Sequence, residues 1–514
     1  MTPGSAGLQA RAATAPAAAD RLVSLPASDS GSSPGASRAW WALGAIFLVG
    51  LALRLHQLGE WSYWLDEVYS VIDAFDVSQK LSRYPLFYAL ERGVFELLGV
   101  SQTTARLLPA VVGAVSLVLL YPWFRRFSGL PGAWVGLLLL AVSPWHVYWS
   151  QTARFYTLVF LLETSALYCF YVGLVDRRPR YLALSVVLAV IAFYTHFSAG
   201  AFVGIAGAFF LLRTARREGM RALRALSPPQ LLLFALLAVF GFYFFWWFIP
   251  HFQSHGPPQW GDTPESLSLK LVYYLTPVVV ASAFLGLALA WRTRPDEALF
   301  LGLSIAVPFV FLVGVHRLED VNTRYVFATL PGYLALAAIP ATELWRRLRS
   351  HRVPLLVAFV LLLALPSLQE VYLYFTEGHG NREPWRKAVA FAQAEAAPGE
   401  RIVGLFSAVP SFYVAGAEKA RRPDLQRLTP PLEELRAGGP AWIIVRQRHV
   451  ARAWQPPGRR RQVRDYAEWL LSEAILVREF NARLGLKDRS LNLFYYDPAG
   501  ASRRPHARRI TGGA

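Results

Sequence analysis

Apolar runs long enough to cross a bilayer recur along this 514-residue chain, and its arginines gather in the gaps between them. About eleven runs of roughly 17 to 23 residues can be read, enough for the ~30 Å of a hydrocarbon core. They are 40–58, 108–124, 132–149, 155–175, 181–197, 198–212, 230–250, 271–291, 298–315, 325–342 and 353–375. The fifth and sixth meet at Tyr194-Thr195-His196-Phe197, so a tight turn is expected there. At 54% apolar the chain is outside the range of a soluble domain of this length. The fold class is therefore an α-helical polytopic membrane protein.

A formal net charge of +18 would suit a nucleic-acid binder, but the placement of the charge excludes that reading. Arg125-Arg126, Arg177-Arg178 with Arg180, the group from Arg213 through Arg224, Arg292 and Arg294, and the group from Arg346 through Arg352 fall in alternate loops. That is the positive-inside pattern. It puts the N-terminus in the cytoplasm, and the loops 59–107, 251–270 and 316–324 outside a plasma (inner) membrane together with the C-terminal region.

Four segments follow. Residues 1–37, rich in Ala, Ser, Gly and Pro, form a disordered cytoplasmic tail that cannot build a core, ahead of a first span expected to be an uncleaved signal-anchor. Residues 38–375 hold the transmembrane domain. Its first outer loop, 59–107, carries helical patterns at 66–77 and 85–98, expected to lie along the interface. The outer loop 251–270, with His251, His255, Pro257-Pro258 and Trp260, reads as a lid. Residues 376–498 read as a small soluble α/β domain on the outer face, with helices over 385–395 and 464–471 and short strands at 401–406, 441–445 and 493–496. Residues 499–514 form a disordered tail. The single cysteine, Cys169, excludes an intrachain disulfide and a thiolate metal site.

Directly after the first apolar run comes Trp61-Ser62-Tyr63-Trp64-Leu65-Asp66-Glu67-Val68-Tyr69-Ser70. Carboxylates are costly beside hydrocarbon, so a pair there marks a functional candidate. Asp66 is the candidate general base, able to take the proton of an attacking hydroxyl. Glu67 is a candidate to bind an acceptor, orient Asp66 or hold a divalent cation with it. Alternatively, both acids simply favour a helix N-terminus. Gln151 and Arg154 reach the same outer boundary. Arg154 and Arg324 match phosphate geometry, against the plainer reading of arginines snorkelling to the interface. Arg54 and His196, at outer span ends, and Tyr325 complete the donor-side candidates. Arg106 reads as a tie between the outer loop and the second span. No phosphate-binding glycine loop is evident, which argues against a nucleotide donor.

Four stretches in this order resemble the GT-C superfamily of polyprenyl-phosphate-sugar-dependent glycosyltransferases, in its bacterial protein O-mannosyltransferase and aminoarabinose transferase branch. They are Trp64 to Ser70, Pro85-Leu86-Phe87-Tyr88, Ser150-Gln151-Thr152-Ala153-Arg154-Phe155-Tyr156 and Arg324-Tyr325. Tyr194 to Phe197 and Glu383-Pro384-Trp385-Arg386 are similar to further segments of that branch. The resemblance covers roughly 40–400 and implies a GT-C fold of about 11 spans. It implies an undecaprenyl- or dolichyl-phosphate sugar as donor, a lipid, protein or glycan acceptor, and inversion at the anomeric carbon. Asp66 would be the base, and Arg154 and Arg324 would hold the donor phosphate. Tyr69, Tyr88, Gln151 and Tyr156 fall in the matching motifs as further pocket candidates. The chain departs from the family at Arg83-Tyr84, where relatives read His-Pro, and at Thr152, where they often have Glu. Both departures bear on any metal site, so a divalent cation stays open as a cofactor. The rival expectation is a transporter or flippase, or a non-catalytic binder, of lipid-linked sugars.

Overall fold

A computed structural model of the chain describes residues 34–76, 85–219, 262–316, 321–348, 350–415, 429–451, 460–484 and 487–500, with isolated positions between 231 and 246. The expected span 230–250 is therefore largely outside the described residues. So are the lid residues 251–261, Arg83-Tyr84, and most of the two terminal tails. The chain divides into two units, 1–45 and 46–514. Of the first, only the start of α1 (Pro34–Leu55) is described.

Helices dominate the second unit. The first outer loop carries α2 (Leu65–Phe75) and α3 (Pro85–Leu98). Then come α4 (Gln102–Leu119), α5 (Tyr121–Ala141), α6 (Pro144–Ser150), α7 (Tyr156–Val175), α8 (Pro179–Thr195) and α9 (Ala201–Glu218). After a gap follow α10 (Pro264–Leu275), α11 (Pro277–Thr293), α12 (Pro295–Val315), α13 (Leu330–Arg347) and α14 (Arg352–Thr376). Among the described residues six helical stretches are long and apolar enough to cross a bilayer: α4, α7, α12, α14, and α9 and α13 each joined to the 3₁₀ turn before it. Ala39–Leu55 and α8 are apolar but shorter.

Two expected spans are bent. The run 132–149 breaks between α5 and α6 by 54°, where Pro144 restarts the helix and Ser143 Oγ caps it by accepting from the His146 amide. The run 271–291 breaks by 94° between α10 and α11. Thr276 leaves helical geometry at φ 69°, and its place ahead of Pro277 disfavours the helical region there. The expected span 108–124 is displaced: α4 starts at Gln102 and ends at Leu119, because the capping box of Ser101 and Thr104 opens it early.

Small residues let the inner helices close. Ser128 Oγ of α5 donates to the Ala335 carbonyl of α13 at 2.7 Å, and Ser282 Oγ of α11 donates to the Ala337 carbonyl at 2.8 Å. Such contacts replace the hydrophobic drive that lipid does not supply between helices.

Beyond α14, α15 (Trp385–Glu395) leads into a sheet ordered β1-β2-β6-β3, from β1 (Arg401–Gly404), β2 (Ala441–Arg446), β3 (Ile475–Phe480) and β6 (Leu491–Tyr496), while the short β4 (Arg483–Leu484) and β5 (Lys487–Asp488) pair with each other. β1 runs parallel to β2 and the remaining pairs are antiparallel. Side chains alternate between two faces. Ile443, Val445, Phe494 and Tyr496 pack on Tyr466, Trp469 and Leu470 of the helix Arg460–Glu473. Trp442, Ile444, Leu491, Leu493 and Tyr495 share one core with α15 and with Tyr63, Val68, Val71 and Ile72 of the first outer loop. The C-terminal sheet thus braces the helix that carries Asp66.

Candidate functional site

Glu67 organises the site from below. Its carboxylate is fully buried. It receives the Arg106 guanidinium at 2.8 and 3.0 Å, Arg382 Nε at 3.2 Å, and the amides of Ala153 at 2.9 Å and Trp64 at 3.2 Å. Burial raises its pKa, but Arg106 and Arg382 outweigh that and hold it at about 2. Arg106 also donates to the carbonyls of Leu58, Trp61 and Ser62, tying the outer loop to α4. Arg382 extends the network to the Gln151 carbonyl and Thr152 Oγ1, at 2.6 and 2.7 Å. The lone pairs of Glu67 are committed to structure, which of its expected roles suits orienting Asp66.

One residue earlier, Asp66 is different. Its side chain is 22% exposed, and Oδ2 accepts from Arg324 Nη1 at 2.5 Å. Arg324 stands at the start of a 3₁₀ turn, Thr323–Thr329, capped by Asn322 Oδ1. Asp262 pins that turn by accepting from the Thr323 amide at 3.0 Å and hydroxyl at 2.8 Å. The Arg324 guanidinium lies over the rings of Tyr325 and Trp64, 5.3 and 5.9 Å from their centroids.

Arg154 approaches from the α6–α7 junction. Nη1 donates to Ser70 Oγ at 3.0 Å and to the Asp66 carbonyl at 3.2 Å, and the guanidinium stacks 4.4 Å over Phe155. The Nε–H groups of Arg154 and Arg324 are buried without a partner among the described residues. His196, at the α8–α9 turn, stacks on Phe155 at 4.2 Å and on Tyr325 at 5.9 Å, and its Nδ1 pairs with the Ser198 hydroxyl. Tyr156 packs on Trp149 at 4.3 Å and on His196 at 5.7 Å. Tyr88 is buried on α3, within electrostatic reach of Arg154 and Asp66, and Tyr69 is half-buried on α2 against the shared core.

Four distant segments therefore bring Asp66, Arg154, His196 and Arg324-Tyr325 to one place. Two candidates sit elsewhere. Arg54 is buried and donates to the carbonyls of Gly50, Leu140 and Ala141 and to His146 Nδ1, away from Asp66. Gln151 is a clamp: its amide donates to the Arg54 and His56 carbonyls and its oxygen accepts from Tyr374 and Trp61. Arg382, Ser70 and Asp262 were missed in the sequence. Only Ser70 left a signal, one helical turn after Asp66.

Beside the cluster an apolar cleft of about 740 Å³ opens between α9 and α12, walled by Val203, Val307, Phe311 and Leu312 and ending at Phe197 and Tyr325. Among the described residues no group of three or more His, Cys, Asp or Glu is placed to hold a metal ion.

Residues 82–247 match the family described as Dolichyl-phosphate-mannose-protein mannosyltransferase. No curated protein sequence matches the chain. Two solved structures of ArnT from Cupriavidus metallidurans are similar to it. The apo state has 15% identity and a TM-score of 0.54, over 90% of this chain and 99% of that one. The form bound to undecaprenyl phosphate has 14% identity and a TM-score of 0.55, over 89% and 98%. At such identity the likeness is one of fold. The architecture is the GT-C fold implied by the motifs around Asp66, Arg154 and Arg324, in an integral membrane protein.

Proposed function

We propose that the protein is an inverting glycosyltransferase that moves a sugar from a polyprenyl-phosphate donor to an acceptor hydroxyl at the outer face of the inner membrane. One observation carries the reading. A partly exposed carboxylate, Asp66, stands on two arginines with unused buried donors, at the end of an apolar cleft suited to a lipid chain.

The acceptor oxygen attacks the anomeric carbon as Asp66 takes its proton. The bond from that carbon to the phosphate oxygen breaks, and its electron pair leaves with the polyprenyl phosphate. Attack opposite the leaving group inverts the centre. The leaving phosphate needs charge stabilisation more than protonation, which Arg154 and Arg324 supply. Without donor, Arg324 is paired with Asp66. An incoming phosphate competes for that arginine and frees the carboxylate to act as base. Glu67 holds the loop so that Asp66 projects, and the C-terminal sheet fixes α2 from behind. The ArnT structure bound to undecaprenyl phosphate supports a lipid-phosphate donor. The acceptor is a lipid, protein or glycan.

The test is sugar transfer by purified, reconstituted protein with labelled polyprenyl-phosphate sugars. Asp66→Asn should lower turnover about 10²- to 10⁴-fold, the usual worth of a general base. Its donor affinity should hold or rise, because Arg324 loses its competing partner. Arg154→Ala and Arg324→Ala should weaken donor binding by about 1.5–3 kcal/mol each. Wild-type turnover in Asp66→Asn would refute the base assignment. Movement of lipid-linked sugar across vesicles without transfer would favour a transporter.

A further inference from the structure

At the other end of the bundle, α11 and α13 part around a second cleft of about 750 Å³. It is lined by Arg292, Arg294, Arg346 and Arg347 over an apolar wall of Leu289 and Ile339, with Glu343 its one acidic residue. The ion pairs at this end are unevenly shared. Asp296 takes Arg213, Arg216 and Arg217, and Asp176 takes Arg126. Glu343 takes Arg347 at 2.5 Å and reaches Arg346 at 3.5 Å. Arg292 and Arg294 have no ion pair among the described residues, and Arg294 is half-buried. Two guanidiniums outside the ion pairs seen among the described residues thus line the cleft.

On α11, Leu285 stands one turn before Leu289, on the helix face that walls the cleft, and at 53% exposed it continues that apolar wall along the helix. Arginines that only set topology need neither a cleft nor an apolar wall leading into it. Basic pockets between spans are suited to anionic lipid headgroups. We propose that this cleft binds the headgroup of an anionic membrane phospholipid. Arg292 and Arg294 contact its phosphate, and its acyl chains lie along Leu285 and Leu289. The site shares no residue with the Asp66 cluster, so it stands whether or not the transferase reading does.

Native mass spectrometry of the full chain, released from mixed phosphatidylglycerol and phosphatidylcholine, tests this. Wild type should retain phosphatidylglycerol in preference to phosphatidylcholine. Arg292→Gln should lower that retention about fivefold, and Arg292→Gln with Arg294→Gln about 30-fold, at roughly 1 kcal/mol per arginine. The exposed single variant serves if the double variant does not stay monodisperse. Equal retention of both lipids by wild type overturns the proposal, as does equal retention of phosphatidylglycerol by wild type and variants. A parallel titration with inorganic phosphate separates the sources: phosphate bound through the arginines without phosphatidylglycerol retention also overturns the lipid as occupant.

Discussion

A buried carboxyl with no hydrogen-bond partner carries a standing cost, and Glu91 is one. It lies on the buried face of α3 with Phe87, Tyr88 and Phe95, and neither oxygen has a partner among the described residues. Burial pushes its pKa well above the usual carboxylate range. Arg154 offsets part of this, while Glu67 and Asp73 add to it. The folded value thus exceeds the unfolded value of about 4.3. The stability it contributes is complete below about pH 4 and is lost as pH rises through the folded value, because the native state must then hold a buried charge. Glu91→Gln removes that loss. Its thermal midpoint relative to wild type should rise between pH 5 and pH 8, by the equivalent of about 1–3 kcal/mol. Melts in detergent at both pH values check this, and a gap independent of pH would place the ionisation elsewhere. Neighbouring acids on one helix thus have separate fates. Asp66 meets Arg324 with its side chain partly exposed, while Glu67 is consumed by anchoring. The sequence showed both as acids at a membrane edge. It could not divide their roles, because the division depends on Arg382, which arrives from more than 300 residues away.

Helix contacts set the next level, and α11 packs backbone to backbone on α13 at Gly286. A Cβ at Gly286 would meet the Leu336 carbonyl, whose carbon lies 2.8 Å away. Backbone cannot yield there as a flexible side chain can. Gly286→Val should cost about 1–3 kcal/mol and lower the fraction that stays monodisperse after heating in detergent. Gly207→Ala is the control, since nothing lies within 4 Å of its Cβ position. A Gly286→Val protein as heat-resistant as the control would show that these helices separate easily. Apolar runs revealed the helices themselves, because span length leaves little freedom in lipid. The bends at Ser143-Pro144 and Thr276-Pro277 were not legible, because Pro109, Pro308, Pro340 and Pro366 also fall inside apolar runs yet stay within helices. Strand β3 was not legible either. It alternates Ile475, Val477 and Glu479 with Leu476, Arg478 and Phe480, and its pairing with β6 shifts register between Leu476 and Arg478. A short edge strand of that composition gives no clear period.

Across the whole molecule the two ends of the bundle have opposite chemistry. α7 runs from Tyr156, in the Asp66 cluster, to Asp176, which pairs with Arg126. α13 follows the turn bearing Arg324 and ends at Arg346 and Arg347. The acid and its two phosphate-binding candidates thus gather at one end, and the basic loops at the other. Basic loops stay cytoplasmic, so the Asp66 end and the sheet that braces it should face outside. The single cysteine gives a direct check. With Cys169 replaced by Ser, a cysteine is introduced at exposed Ser350, between α13 and α14, or at exposed Ala397, after α15. A membrane-impermeant maleimide added to right-side-out vesicles should label Ala397→Cys and leave Ser350→Cys untouched until the vesicles are opened. Labelling of both before opening, or of Ser350→Cys alone, would overturn the orientation. The second result would also put the Asp66 cluster on the cytoplasmic side, where the donor would have to be used before it crosses the membrane.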